Sequence, residues 1–529
     1  MSDESQAMSA GDGAEAQSQE ERPWLKMGDE EIHVLSPLYR LRSSKHDYVY
    51  VWGMQTFFRD KIHRAAGIVA ALCNGKRTIA DIARITRPLV QASDDREAME
   101  VAKERVKKII HTLSQTREEL AGEPRKRNVY PPSTVLVTKE EYDRKFGGTK
   151  FLPVEYHAKD FLPKDASEMR PEPNRNRREA APLQMTWNVT SECSTDCRYC
   201  YLGRRKVKRL SKERMLSLME EAATIKVMEI IPTGGDLLLY QYLEDILDAM
   251  RKYRFLPVDL ATKSFLSREK AEVLAGAASV VLGLQFSIDS TVSDVADYLV
   301  RAKGYCDRVF KSIDNALETG LHVDAKAVIT PYNILTIPKL YRDLKKRGVS
   351  TIRLAAYSRS GFHHSDDLFN HVVSYQWLEE QIKQLQQEFP DDDIRIQNGP
   401  PVLKPASLED RLKAWPKRAM CSAGRSTMVM CTDGKVIPCE QTPETEKYFC
   451  GDLSYQSIQE VWDSDRLREL TYGIPREKFK GQPCYDCEEW RECIWQKGNC
   501  VRDLAKYEDN IYQPPPNCPK YNKSFIRTV

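Results

Sequence analysis

A chain of 529 residues is too long for a single compact core and predicts roughly two to four domains. Its composition, 41% hydrophobic and 30% charged, is that of a globular protein, and a net charge of +3 excludes a global electrostatic pull toward nucleic acid or an anionic membrane. The longest nearly apolar run, residues 273–284, is broken by Gly and Ser and falls short of a membrane span, and the N-terminus has no basic-then-apolar signal pattern, so a cytoplasmic protein with no membrane partner is expected. Fourteen cysteines, clustered at CxxC-type spacings in a long chain without a signal, point to metal rather than to disulfides.

In chain order, residues 1–30 are read as a disordered tail, the first 22 being rich in Ser, Ala, Gly, Gln and Glu with no apolar period. Residues 31–120 read as a small domain. Three β-like runs, Glu31 to Leu35, Tyr39 to Arg42 and Tyr48 to Trp52, precede a helix carrying Ile62, Ala65, Ala66, Val69, Ala70 and Leu72 on one face. Asn74-Gly75 is expected to end that helix, and Thr78 to cap a second through Ile79, Ile82 and Ala83. A third carries Val101, Val106, Ile109, Ile110 and Leu113. Three strands and three helices in this order predict a winged helix, which binds either DNA or a peptide added to a sheet edge. The second helix holds one Arg and one Asp, a poor surface for phosphates, so a nucleic-acid partner is not expected. The stretch from Leu72 to Ile82 resembles the PqqD-like domains that recognise leader peptides of ribosomally made natural products. A purely structural cap is the plainer alternative.

Residues 121–180 are proline-rich with two basic runs and read as a solvated connector, within which residues 133–137 can pack on a domain surface. Residues 181–360 alternate strand and helix: strands from Met185, Val227, Val258, Val280, His322 and Thr351 are separated by amphipathic helices. Six β-α units imply a parallel sheet flanked by helices, with chemistry in the loops after the strands. After the first strand comes Cys193-Ser-Thr-Asp-Cys197-Arg-Tyr-Cys200. Three thiolates on one loop can hold three corners of a cubane iron–sulfur cluster and leave the fourth iron open. A zinc site would need a fourth ligand nearby, and no His or further Cys adjoins the loop.

CxxxCxxC after the first strand and Pro232-Thr-Gly-Gly-Asp236 after the second resemble the radical S-adenosylmethionine (SAM) enzymes. The resemblance implies that Cys193, Cys197 and Cys200 carry the catalytic cluster and that its open iron binds SAM, whose cleavage gives a 5′-deoxyadenosyl radical. Gly234 and Gly235 allow close backbone approach to a ligand, and Asp236, where the family usually has Glu, would accept from the SAM ammonium. Tyr199 matches an aromatic position near the adenine. Ser287 and Asp289, and less specifically Thr262, Lys263, Lys326 and Arg353, occupy positions that contact the cofactor in relatives.

Residues 361–415 are expected to bridge to a second cysteine field at 416–529. In the bridge, His363 and His364 read as a solvent-facing loop. Twelve residues separate Cys421 from Gly434 and four more precede Cys439; Cys484-Tyr-Asp-Cys487, Cys493, Cys500 and Cys518 follow. This resembles the SPASM extension of peptide-modifying radical enzymes, although six residues between Cys493 and Cys500 replace the usual three. The family pattern implies one auxiliary cluster on Cys421, Cys431, Cys439 and Cys500, with Cys450 competing for the place of Cys431, and another on Cys484, Cys487, Cys493 and Cys518. Zinc ribbons on the same spacing are the alternative. Cys73 and Cys306 read as core residues.

The expected fold class is therefore α/β: a partial (β/α)6 radical SAM barrel with an N-terminal winged helix and a C-terminal Cys-rich SPASM domain. The expected function is maturation of a precursor peptide, most simply by a thioether crosslink, using SAM, three [4Fe–4S] clusters and a reducing donor such as flavodoxin or ferredoxin. C–C crosslinking, epimerisation, backbone excision, sulfatase-type protein maturation and a zinc-binding winged-helix regulator remain as alternatives.

Overall fold

The computed structural model describes residues 22–44, 48–53, 59–115, 134–147, 156–157, 160–161, 178–202, 208–358, 366–369, 372–397, 407–418, 420–507, 510–515 and 518–521. The first 21 residues and the loop holding His363 and His364 lie outside these. The chain divides into two compact units, 1–171 and 172–529.

The first unit contains β1 (Ile32–Leu35), β2 (Tyr39–Ser43), β3 (Tyr48–Gly53), β4 (Arg59–His63), α1 (Arg64–Leu72), β5 (Asn74–Thr78), α2 (Ile79–Thr86), α3 (Asp95–Leu113), β6 (Leu136–Thr138) and α4 (Lys139–Phe146). Strands β2, β3 and β4 form one antiparallel sheet, and β5, β1 and β6 another. Alternation along β3 buries Val49 and Val51 against Ile68, Leu72, Ile79, Ile82, Val106 and Ile110. Thr78 caps α2 as expected, in a reciprocal capping box with Asp81.

Three expectations are corrected here. Ile62 is on β4, paired with Val49, and not on the first helix: pairing with β3 outweighs its helical spacing to Ala65 and Ala66. Asn74 and Gly75 begin a strand, β5, with Cys73 as the helix cap. Residues 22–30 are not simply tail, since Pro23–Lys26 forms a 3-10 turn and Asp29 pairs with Lys103 and Lys107 of α3 at 3.0 and 2.8 Å. The connector also contributes structure. Val135, Leu136 and Val137 are buried, and β6 pairs with β1.

The second unit opens with β7 (Gln184–Thr190), α5 (Lys212–Thr224), β8 (Glu229–Gly234), α6 (Leu243–Tyr253), β9 (Val258–Thr262), α7 (Arg268–Gly276), β10 (Val281–Ser287), α8 (Ser293–Val300), α9 (Tyr305–Glu318), β11 (His322–Ile329), α10 (Ile337–Lys346) and β12 (Thr351–Ala356). It continues with α11 (Val372–Glu388), β13 (Ile396–Gln397), α12 (Leu408–Ala414), β14 (Thr427–Met430), β15 (Lys435–Ile437), β16 (Gly451–Asp452), α13 (Ile458–Asp463), α14 (Asp465–Thr471) and α15 (Val501–Tyr507). Strands β9 to β13 form a parallel sheet in sequence order. The second sheet runs β8-β7-β14-β15-β16, so the hairpin of the cysteine-rich region extends the barrel sheet. Strand β14 is parallel to β7, with Met428 beside Met185 and Met430 beside Trp187, all fully buried. The end of the presumed connector is also fixed. Arg178 lies over the Trp462 ring at 4.5 Å, donates to Gly424 O at 3.0 Å and pairs with Asp463 at 3.2 Å. This basic residue is thus docked rather than solvated, because Trp462 offers its ring and Asp463 its charge.

Candidate functional site

The loop Cys193–Cys200 follows β7, and the end of β8 presses on it. Gly235 N donates to Thr190 O at 2.7 Å and Asp236 N to Glu192 O at 2.6 Å. A Cβ on Gly234, whose φ is +153°, would lie 2.2 Å from Thr190 O, and one on Gly235 would lie 2.2 Å from Glu192 O. The glycine pair is thus required first by the chain itself, which brings two backbones closer than any side chain allows. From behind, Val300 O accepts from Asp196 N at 3.0 Å and Leu299 O from Arg198 N at 2.9 Å. So held, the thiols of Cys193, Cys197 and Cys200 line one cavity of about 340 Å³ together with Gly234, Gly235 and Asp236. Thr195 Oγ1 is 3.4 Å from both Cys193 Sγ and Cys197 Sγ. Burial pushes the Cys197 thiol up and nearby Lys263 draws it down.

The acidic residues prove to be braces. Asp236 is buried, and its carboxylate accepts from the Thr262 hydroxyl at 2.9 and 3.0 Å, from Lys263 N at 2.7 Å, from Ser264 N at 2.9 Å and from Leu238 N at 3.1 Å. It ties the end of β8 to the end of β9, and its oxygens are committed to the chain's own donors. Asp289, 1% exposed, accepts from Val328 N at 2.8 Å and from the Tyr199 hydroxyl, so it anchors the cluster loop to β11. Tyr199 and Ser287 line the cavity, as do Thr262, Lys263 and Lys326. Arg353 instead pairs with buried Asp324 at 2.7 Å and donates to Gln285 at 3.2 Å.

Glu440 also lines this cavity, a residue that motif reading passes over although it directly follows Cys439. Burial holds its carboxyl above the ordinary carboxylate range, with Thr186 and Lys326 drawing it down. Burial lowers the Lys326 ammonium and Glu440 raises it. An acid and a base therefore share the cavity with the three thiols.

Cys484, Cys487, Cys493 and Cys518 line a second, small cavity with Trp415 and Trp490. Burial and the three neighbouring thiols push the Cys484 thiol up to about 12. Among the described residues no three His, Cys, Asp or Glu side chains close on one point as a single ion requires. Thiols gathered around a cavity wall are the donor chemistry that an iron–sulfur cluster takes, and both sets of cysteines supply it. In the remaining set burial raises the Cys439 thiol, and the nearby Cys421 adds to the rise. Cys431 is buried with Val429, Ile437 and Phe449. Cys450 lies in the main core with its thiol pushed up to about 12, and Cys500 precedes α15. Cys73 and Cys306 are buried.

Comparison with known proteins agrees with this chemistry. Residues 187–346 match the radical SAM superfamily, and residues 421–488 match SPASM, an iron–sulfur cluster-binding domain. The mycofactocin maturase MftC of Mycolicibacterium smegmatis is 26% identical over 349 residues, covering 64% of this chain and 83% of MftC. The subtilosin biosynthesis protein AlbA of Bacillus subtilis is 23% identical over 301 residues, covering 55% of this chain and 61% of AlbA. The crystal structure of Streptococcus suis SuiB bound to S-adenosylmethionine shares the fold, with a TM-score of 0.58 at 13% identity over 92% of this chain and 99% of SuiB. Among the described residues no helix is long and apolar enough to cross a membrane. With its cysteine loop at the end of β7, its glycine turn at the end of β8 and a second cysteine field joined to the same sheet, the chain contains a radical SAM domain and a SPASM iron–sulfur cluster-binding domain.

Proposed function

We propose that this enzyme matures a ribosomally made precursor peptide, and that the product is a thioether between a cysteine sulfur and a carbon of another residue. The observation that carries the reading is the ring of thiols Cys484, Cys487, Cys493 and Cys518 in the same folded unit as the Cys193–Cys200 loop. Cofactor cleavage alone needs one cluster, whereas a second redox group suits the removal of an electron from a substrate radical. The relatives point to peptides too: one is named a maturase, another a bacteriocin biosynthesis protein, and SuiB has been crystallised with its precursor peptide SuiA.

In this reading three [4Fe–4S] clusters are held, by Cys193, Cys197 and Cys200; by Cys421, Cys431, Cys439 and Cys500; and by Cys484, Cys487, Cys493 and Cys518. Bound at the first site, the cluster and SAM would supply the radical chemistry that removes a hydrogen atom from the peptide. The chain's own residues do the rest. The Gly234–Gly235 turn and the Asp289–Tyr199 contact keep the loop in place, Lys326 offers a donor to a bound carboxylate or hydroxyl, and Glu440 accepts a proton. The N-terminal unit, residues 31–120 with β6 added, holds the leader by strand addition to a sheet edge. Tethering by the leader raises the effective concentration of a weakly bound core segment. The electron for each turnover comes from a flavodoxin- or ferredoxin-type donor.

Anaerobic co-expression with a short precursor encoded nearby, followed by mass spectrometry, tests the proposal. A loss of two hydrogens with one cysteine made resistant to alkylation is expected. Deoxyadenosine formation with an unchanged peptide refutes peptide maturation. A two-hydrogen loss with all cysteines still reactive replaces the thioether by a C–C bond.

A further inference from the structure

We propose that Arg418 sets the reduction potential of the cluster held by Cys484, Cys487, Cys493 and Cys518, raising it so that this cluster takes up the electron released by the substrate. The inference rests on the assignment of that cavity to an auxiliary cluster.

Arg418 lies three residues before Cys421, the first cysteine of its field, and no motif includes it. Its Nη2 donates to Cys493 O at 2.7 Å and reaches Cys493 Sγ at 3.2 Å, with Gly498 O at 3.4 Å. The guanidinium lies over the Trp415 ring, 4.2 Å from its centroid, and Nη1 donates to Trp415 O at 3.3 Å. Trp415 itself lines the cavity. The fork is thus fixed from two sides, and a guanidinium carries its charge at every working pH. Other cations nearby are engaged differently. Arg476 donates to the main-chain oxygens of Tyr485 and Cys487 at 2.7 and 2.9 Å, and Lys520 is paired with Glu489 at 3.0 Å. Arg418 reaches the sulfur itself.

One-electron reduction adds a negative charge to a group in a half-buried site, where burial penalises charge. A cation fixed beside a ligating sulfur, donating an N–H to it, offsets that penalty more in the reduced state than in the oxidised one, and hydrogen bonds to cluster sulfurs raise the potential. The electron comes from the substrate radical in turnover and from dithionite in a titration, and no bond is made or broken at Arg418.

The test is a potentiometric titration followed by electron paramagnetic resonance, on the full chain and on Arg418→Gln and Arg418→Lys. The signal of this cluster is identified as the one that Cys487→Ala removes. Arg418→Gln should lower the reduced-to-oxidised ratio at a fixed potential by about tenfold, a downward shift of about 59 mV for one electron. Arg418→Lys, which keeps the charge and loses the fork, should fall between. Iron content, the signal of the Cys193–Cys200 cluster and deoxyadenosine formation should not change. Equal midpoints in all three proteins with intact iron content overturn the proposal. Loss of this cluster from both variants also overturns it and makes Arg418 a clamp of the helical turn that carries Cys493. If the unsubstituted protein has no signal that Cys487→Ala removes, the cluster assignment fails instead, so the two failures are distinguishable.

Discussion

The Thr262 hydroxyl donates to both carboxylate oxygens of Asp236, at 2.9 and 3.0 Å, and so joins the end of β9 to the turn that shapes the cofactor cavity. Lys263 N and Ser264 N complete the link at 2.7 and 2.9 Å. An acid at this place in the motif reads as a partner for the SAM ammonium, but here the carboxylate holds the chain. Asp236→Asn turns an amide N–H toward main-chain donors and should cost about 1–3 kcal/mol of stability. Asp236→Glu, although it matches the usual family residue, adds a methylene to a buried site and should cost a similar 1–3 kcal/mol. Thermal melting and equilibrium binding of SAM check both. Stability and affinity falling together is the expected result. A full loss of affinity with an unchanged melt would restore the direct ammonium contact.

The second prediction concerns the glycine next to it. A Cβ at position 235 meets Glu192 O at 2.2 Å and Ser191 O at 2.7 Å, both main chain of the cysteine loop. Neither can swing aside as a flexible side chain would, so Gly235→Ala should push the loop off the end of β8. Iron content after anaerobic reconstitution, compared with that of Cys197→Ala, reads the effect. Both should lack the iron of the first site and form no deoxyadenosine, while the second-field iron is retained.

Much of the barrel was legible because its strands are short runs in which buried apolar residues alternate with polar or less buried ones. Val258 to Thr262 and His322 to Ile329 stand out in this way between amphipathic helices, and β9 and β11 have the expected bounds. Helix α8 was missed, since Ser293 and Asp294 open it like a loop. Pairing over long sequence distances was not legible. Nothing within Thr427–Met430 announces a parallel partner at Gln184–Thr190, and the polar residues of β4 conceal a strand that only β3 makes favourable. The cysteine loop and the glycine pair were found from spacing. The bracing roles of Asp236 and Asp289 depend on donors from β9 and β11 that meet only in three dimensions, and Glu440 was obscured by the cysteine before it.

A third prediction follows from the docking of Arg178. Its side chain is 14% exposed, lies over the Trp462 ring, and reaches Gly424 O and Asp463, while Trp462 Nε1 donates to Glu179 O at 3.0 Å. The segment entering β7 is thereby sewn to α13. Arg178→Ala removes a cation–π contact and a part-buried hydrogen bond, together about 2 kcal/mol. Arg178→Lys should recover only part, because a point charge does not reproduce the planar fork. Denaturant melts of the two variants and the parent should rank in that order. Equal midpoints would return Arg178 to the solvated connector.

The last prediction concerns Glu440, which brings an acid from the cysteine field into the cavity of the first three thiols. Forming a bond at a substrate radical and passing an electron on leaves one proton to be removed, and Glu440, on the cavity wall with Cys193, Cys197 and Cys200, is placed to accept it. Glu440→Gln keeps size and hydrogen bonding but cannot take a proton. It should lower peptide modification by about 100-fold, the scale of a lost general base. Deoxyadenosine formation without peptide should persist, since the three thiols and the glycine turn are untouched. The pH dependence has a definite sign. A base works only when deprotonated, and burial has moved this carboxyl upward, so the rate of modification should rise with pH through a limb above the ordinary carboxylate range. That limb should be absent from the residual activity of Glu440→Gln. A variant with the same limb and near-parental product yield would show that the proton leaves by another group, Lys326 being the nearest base on the cavity wall to examine next.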